Sequence, residues 1–277
     1  MRAAAALLVL AQVRGTSGKL PQLPAPSAPH PGAHVPAPRS APPRVARVVP
    51  QAARPAPVPS QPVPPAEPGD PAMRYGAMPH DACIIEATLR KLPVKQEGDL
   101  RGVMVPLRLT GPLSGVSFHS AIPEAQRKTS PFEVFDCRLV LAMDDYAKML
   151  AAQDIVEVIH MSAYRPPPAK GWKDGDLGSR HSGALAIDVG AFVKKDGSKL
   201  VVEKDYHGYI GQGPCTASGS PNTPWPPSAE ATELRKLTCE TVSAKLFHVV
   251  LTPGFNWAHH NHFHLEVSAG GSHYYVR

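Results

Sequence analysis

The chain has 277 residues, 33 of them proline, and a formal net charge of +6. Residues 1–66 hold seven of the Lys and Arg side chains and no acid, which leaves 22 bases against 23 acids in the remainder. A near-neutral folded part lacks the surface needed to neutralise phosphates, so nucleic-acid recognition is excluded as its function.

The N-terminal stretch MRAAAALLVLAQVRG runs from Ala3 to Val13 with only Gln12 breaking its apolar character. That run is too short to span a bilayer and suits the core of a secretory signal, so residues 1–18 are read as a signal peptide and no transmembrane span is expected. Between Pro21 and Pro71 lie 18 of the prolines, set among Ala, Val, Ser and Arg. Such a segment has too little apolar surface to offset the entropy of ordering, so residues 19–72 are read as a disordered, polyproline-like linker. Its basic charge is that of a solvated spacer, with loose attraction to anionic envelope polymers as the alternative. Residues 73–277 are then long enough for one domain with a sizeable core, taken here as monomeric.

Within that domain, HDACIIEATLRKL (80–92) reads as a helix with Ile85, Leu89 and Leu92 on one face, stopped by Pro93. Alternation of Val103, Val105, Leu107 and Leu109 marks a strand within 101–120, and Pro106 assigns it to a sheet edge. Residues 136–153 form a stronger helix, with Asp136 at its start and Leu139, Met143, Tyr146 and Leu150 in a stripe. Strands follow at 154–162, 184–192 and 200–205, a helix at 228–246, and a closing pair of strands at 248–252 and 262–268. Helices and strands alternate without a βαβ rhythm. The class is therefore α+β, a single domain with a mainly antiparallel sheet and flanking helices.

Cys83, Cys137, Cys215 and Cys239 include no C-x-x-C pair, which argues against a thiolate metal site. An even count behind an export signal favours two disulfides. Of the three connectivities, Cys83–Cys137 with Cys215–Cys239 is preferred, because the second pair closes a loop rich in Gly and Pro; four free thiols in a cytosolic protein are the alternative.

Three short stretches carry the chemistry. In HFHLEVS, alternation puts His262, His264 and Glu266 on one face while Phe263, Leu265 and Val267 face the core. Two histidines so spaced serve one metal site, or are merely solvated. In SRHSGALAID, His181 precedes an apolar strand that carries Asp188, a carboxylate costly to bury unless paired or metal-bound; a turn or capping role is the alternative. His181, Asp188 and His264 together offer two nitrogens and one oxygen and leave a fourth position open, as in catalytic zinc sites. In SAYRPP, Arg165 either pairs with a surface acid or clamps a substrate carboxylate or oxyanion. His160 reads as a strand residue, His260 as solvated, and Glu266 as half of a surface salt bridge.

Taken in order, S-x-Y-R, then S-x-H with Asp seven residues on, then H-x-H resembles the hedgehog/D-Ala-D-Ala metallopeptidase superfamily of murein-cleaving zinc enzymes. More closely, Cys83 to Arg277 is similar to the extensin-like C-terminal domain family, whose pattern resembles S-x-H-x-x-G-x-A-x-D followed by A-H-x-D-H-F-H-L. The resemblance implies the peptidase-like fold and one Zn2+ on His181, Asp188 and His264. It implies His262 as the catalytic histidine, Arg165 as the substrate or oxyanion arginine, and His259, Ser179 and Tyr164 around the ligands or cleft. Two departures stand out: Ala184 replaces the family's Gly, and Asn261 replaces its Asp before H-F-H. The implied function is that of an exported, periplasmic or envelope zinc hydrolase cleaving amide bonds of peptidoglycan. The rival is a non-catalytic envelope protein that binds wall polymers through the same fold.

Overall fold

The computed structural model describes Glu67 and residues 69–277. The expected signal over 1–18 and all but the end of the 19–72 linker lie outside the described residues. Helix α1 (Pro71–Gly76) opens with proline in its first turn, where the missing N–H has no intrahelical acceptor to lose. It straddles the expected boundary at 72/73. Ala72 and Tyr75 are fully buried, the Ala72 N–H donates to the Lys245 carbonyl at 3.0 Å, and the Asp70 carboxylate accepts from Tyr274 at 2.9 Å and pairs with Lys245 at 3.1 Å. Packing thus begins at Asp70.

Helix α2 (His80–Leu89) forms where expected but turns the other way. Ile85 and Leu89 are 58% and 72% exposed, while Cys83 and Ala87, four apart, are buried. The cause is covalent: Cys83 is bonded to Cys137 at the start of α4 (Cys137–Ala151), which pulls the Cys83–Ala87 stripe inward. Asp136 caps α4 by accepting from the Arg138 N–H at 3.0 Å, and Leu139, Met143, Tyr146 and Leu150 all lie buried along it. α4 packs against α1, α2 and β5 (Ile155–Ser162).

Beside it, β1 (Val94–Gln96), β2 (Pro106–Leu109) and β4 (Val134–Asp136) make a small antiparallel sheet in the order β1-β2-β4. Pro106 is therefore the first residue of a central strand rather than part of an edge. Its missing N–H costs no bond to β4, because Pro106 and Asp136 form a non-hydrogen-bonded pair flanked by the Cys137 N–H donating to the Val105 carbonyl at 2.9 Å, while the Pro106 carbonyl accepts from the Glu97 N–H at 2.9 Å.

The larger sheet runs β10 (Tyr275–Val276), β8 (Val249–Leu251), β9 (Phe263–Glu266), β6 (Ala186–Lys194), β5, β3 (Ser117–Ser120), with β7 (Lys199–Val201) pairing the far end of β6. All its pairings are antiparallel except β3–β5 and β8–β10. The strand expected over 200–205 ends at Val201. There the Asp205 carboxylate accepts the Val201 N–H at 2.7 Å, and the chain turns into the short α5 (Val202–Asp205). α3 (Glu124–Arg127) is a single exposed turn, and α6 (Ala229–Ser243) is capped by Ser228, which accepts from the Ala231 N–H at 3.0 Å. A second disulfide, Cys215–Cys239, ties the loop before α6 to the helix, so both expected pairings are present. The class is α+β. Among the described residues no helix is long and apolar enough to cross a membrane.

Candidate metal centre

Three neighbouring strands deliver the site. Ser162 on β5 stands opposite Asp188 on β6, and Asp188 stands opposite His264 on β9. On β9 the alternation holds: Phe263, Leu265 and Val267 enter the core, while His262, His264 and Glu266 line a cavity of about 830 Å³. His181 arrives from a 3-10 turn, Arg180–Gly183, that precedes β6. This turn is fixed by close backbone contact between Gly178 and Gly183, where a Cβ on either would strike the other stretch. Ala184 ends it at φ 53°, a left-handed conformation in which glycine is the easier residue.

Asp188 is 1% exposed and is the hub. Its Oδ1 faces His264 Nδ1 at 3.0 Å, His181 Nε2 at 3.2 Å and His262 Nε2 at 3.4 Å. Its Oδ2 accepts from Ser162 Oγ at 2.8 Å and from the Arg165 guanidinium. Burial alone would raise this carboxyl, but hydrogen bonds from His181 and His264, with the charge of the neighbouring imidazoles, hold it well below the usual carboxylate range.

The imidazoles are oriented from behind. His181 Nδ1 donates to the Ala163 carbonyl at 2.7 Å, which turns Nε2 toward Asp188. His264 Nε2 faces Glu266 Oε2 at 3.3 Å, and Glu266 also accepts from Ser268 Oγ at 2.8 Å. Glu266 is buried at 5% exposure; it is no surface salt bridge but the carboxylate that sets the ring of His264. His262 Nδ1 donates to Asn261 Oδ1 at 2.8 Å, so Asn261 orients the ring. Burial, reinforced by His259 and His264 and opposed by Asp188, pushes the His262 pKa down to about 4. For His264 burial acts in the same downward sense, but Asp188 and Glu266 outweigh it and raise the value.

One ligand atom each from His181, Asp188 and His264 can be chosen so that all lie within 4.8 Å of one another. Two ring nitrogens and a carboxylate oxygen at that spacing, each backed by a hydrogen-bond partner, fit a zinc ion. His262 and His259 stand beside the cluster, with His259 held by Asn256 Oδ1 at 2.8 Å and its ring 5.1 Å from that of His262. The Nε and Nη2 of Arg165 are engaged by Ser162 and Asp188, while Nη1 makes no hydrogen bond among the described residues and remains for a ligand.

Two expected residues are elsewhere. Ser179 is exposed at the start of the His181 turn, makes no side-chain cap and does not line the cavity. Tyr164 is buried behind it with Val103, Val134 and Ala184, its hydroxyl donating to the Arg101 carbonyl at 2.8 Å. His160 is fully buried against Phe135, away from the cleft. Ser162, the first residue of SAYR, is buried and joins the cluster through Asp188, a role that residue type and spacing do not announce because a bulge separates it from His160.

The chain matches the family model described as extensin-like protein C-terminus over residues 83–216 and 221–276. It belongs to this family. The match to the extensin-like C-terminus contains both disulfides and every residue of the cluster around Asp188. Searches of curated proteins and of solved structures gave no significant match.

Proposed function

We propose that this extensin-like domain is an exported zinc hydrolase that cleaves amide bonds of peptidoglycan, as its likeness to the hedgehog/D-Ala-D-Ala peptidases implies. The observation that carries the reading is the surplus histidine. His181, Asp188 and His264 suffice to hold one Zn2+, and His262, with its Nε2 turned inward beside them, is not needed for that purpose. A bare polymer-binding protein has no use for a third inward-facing imidazole.

A Zn2+ held by His181, Asp188 and His264 would supply Lewis acidity and lower the pKa of water at the site. The remaining work falls to this chain's own side chains. His262, pushed toward its neutral form, accepts a proton at Nε2 because Asn261 occupies Nδ1. Arg165 offers Nη1 to a substrate carboxylate or developing oxyanion while its other nitrogens keep Asp188 in place. The cavity, about 830 Å³, accommodates a short peptide and leaves the cluster at its floor. Two disulfides fit an oxidising compartment such as the periplasm.

The test is elemental analysis of the purified protein together with digestion of purified sacculi, with and without a chelator. One zinc per chain and muropeptide release abolished by the chelator are expected. Full zinc occupancy with no release would replace the hydrolase by a protein that binds wall polymers.

A further inference from the structure

A second cavity, about 360 Å³, lies beside the metal centre; Glu203, His207, Tyr209, Ile210, Trp257 and His260 line it, and Asn256 borders both it and the main cleft. Trp257 is 74% exposed, the highest value for a large apolar side chain among the described residues, and Ile210 next to it is 58% exposed. The indole is nonetheless fixed. It lies flat on the His260 ring, centroids 4.5 Å apart and planes 5° from parallel, and His260 Nδ1 donates to the Trp257 carbonyl at 2.7 Å. One face is covered by imidazole, and the ring otherwise meets water. Leaving so large an apolar surface open is unfavourable unless something covers it.

The polar groups around the ring indicate the kind of ligand. Asn256 spends its Oδ1 on His259, while its Nδ2 donates to no acceptor among the described residues. His207 Nδ1 donates to the Pro226 carbonyl at 2.8 Å, which leaves Nε2 as an acceptor on a residue that lines the cavity. Glu203 is 64% exposed at its side chain, an acceptor 3.7 Å from His260. A rigid aromatic plate bordered by one amide donor, two imidazole nitrogens and a carboxylate suits a ring with an apolar face and hydroxyl or acetamido edges, and opposes a phosphate. A pyranose has that make-up.

We infer that this cavity is a saccharide subsite, where an amino-sugar ring of a glycan strand stacks on Trp257 while the amide-linked branch of the same polymer reaches the metal centre. The placement is consistent with the chain path: Trp257 opens the 3-10 turn Trp257–His259 that carries His259 into the main cleft. This inference rests on the peptidoglycan reading of the main site, which it extends from the peptide to the glycan.

The experiment titrates the zinc-loaded full chain with the tetramer of N-acetylglucosamine, read by calorimetry and by indole fluorescence, alongside Trp257→Ala and Trp257→Phe. Zinc content and thermal midpoint of each variant serve as folding controls. Saturable binding by the native chain, weakened about tenfold or more in Trp257→Ala and less in Trp257→Phe, is expected. Absence of binding by the native chain, or equal binding by the native chain and Trp257→Ala, overturns the subsite. Tetramer binding by a protein that releases no muropeptide sustains the subsite and removes the hydrolase; muropeptide release without tetramer binding does the reverse. Binding to anionic phospholipid vesicles that depends on Trp257, with no response to the tetramer, reassigns the exposed indole to a lipid surface.

Discussion

Asp188 and His264 face each other in the ladder between β6 and β9, with Oδ1 and Nδ1 3.0 Å apart. Two of the three proposed ligands are therefore spaced by the register of a buried sheet and not by a loop. Only His181 depends on a turn, and that turn is braced by the Gly178–Gly183 contact and by the bond to Ala163.

His264 and His262 should fail differently. His264→Ala is expected to lower zinc affinity by orders of magnitude and, through binding linkage, to lower the thermal midpoint in zinc-containing buffer. His262→Ala is expected to keep near-stoichiometric zinc while losing turnover by about 10²–10⁴-fold. Metal content of both variants beside their hydrolysis rates decides the matter: loss of zinc from His262→Ala would make both histidines ligands.

Glu266 is not among the proposed ligands but sets the ring of His264. Glu266→Ala is expected to weaken zinc binding by about 10–100-fold with all three ligands intact. Competition with a chromogenic chelator measures it, and unchanged affinity would mean the contact at 3.3 Å does not orient the ring.

A separate acid sensitivity resides away from the cleft. Burial alone would raise the Glu133 carboxyl, yet His160 and Ser120 together bring it down to about 2 from an ordinary 4.5. His160 Nε2 stands 3.8 Å away, beyond hydrogen-bond reach, and burial drives it toward its neutral form. Near neutral pH the effective partner is thus Ser120, whose hydroxyl and N–H donate at 2.5 Å and 2.8 Å. A carboxyl depressed in the folded state adds stability above its unfolded value and loses it as pH falls through the folded value. The thermal midpoint should therefore drop between about pH 4.5 and about pH 2, and more steeply in the native chain than in Glu133→Gln. Parallel slopes would show that Glu133 is not the group responsible.

The folded part should tolerate removal of everything before Gly69 and no more. A chain that begins at Gly69 keeps Asp70, Ala72 and Tyr75 in their contacts and should melt with the full chain. One that begins at Met73 loses the Asp70 contacts to Lys245 and Tyr274 and the buried Ala72, and should melt several degrees lower. Equal midpoints would put the boundary where composition alone places it.

What could be read from the sequence was whatever a local period determines. The two-residue alternation of β9 foretold which histidines share a face, and the α4 stripe foretold its buried side, because each follows from one element's own geometry. The inward face of α2 escaped, since a disulfide to α4 overrides its apolar pattern. The partners of Asp188 and His264 escaped in part for a related reason. Ser162 meets Asp188 through strand register, and Glu266 finds His264 only once that face is buried, and neither relation is written in residue spacing. Asn261 was visible only as a departure from a pattern; its bond to His262 required coordinates.

Each donor of the cluster has a protein partner of its own: Ala163 for His181, Glu266 for His264, Ser162 and Arg165 for Asp188. These partners hold the imidazoles and the buried Asp188 carboxylate in position within the protein. In small zinc domains the unsatisfied ligands repel and the metal is what folds the chain. If zinc binds here as proposed, it would add stability by mass action to a cluster already held by these partners rather than fold the chain, so zinc scarcity would silence the proposed hydrolase before it unfolded the domain.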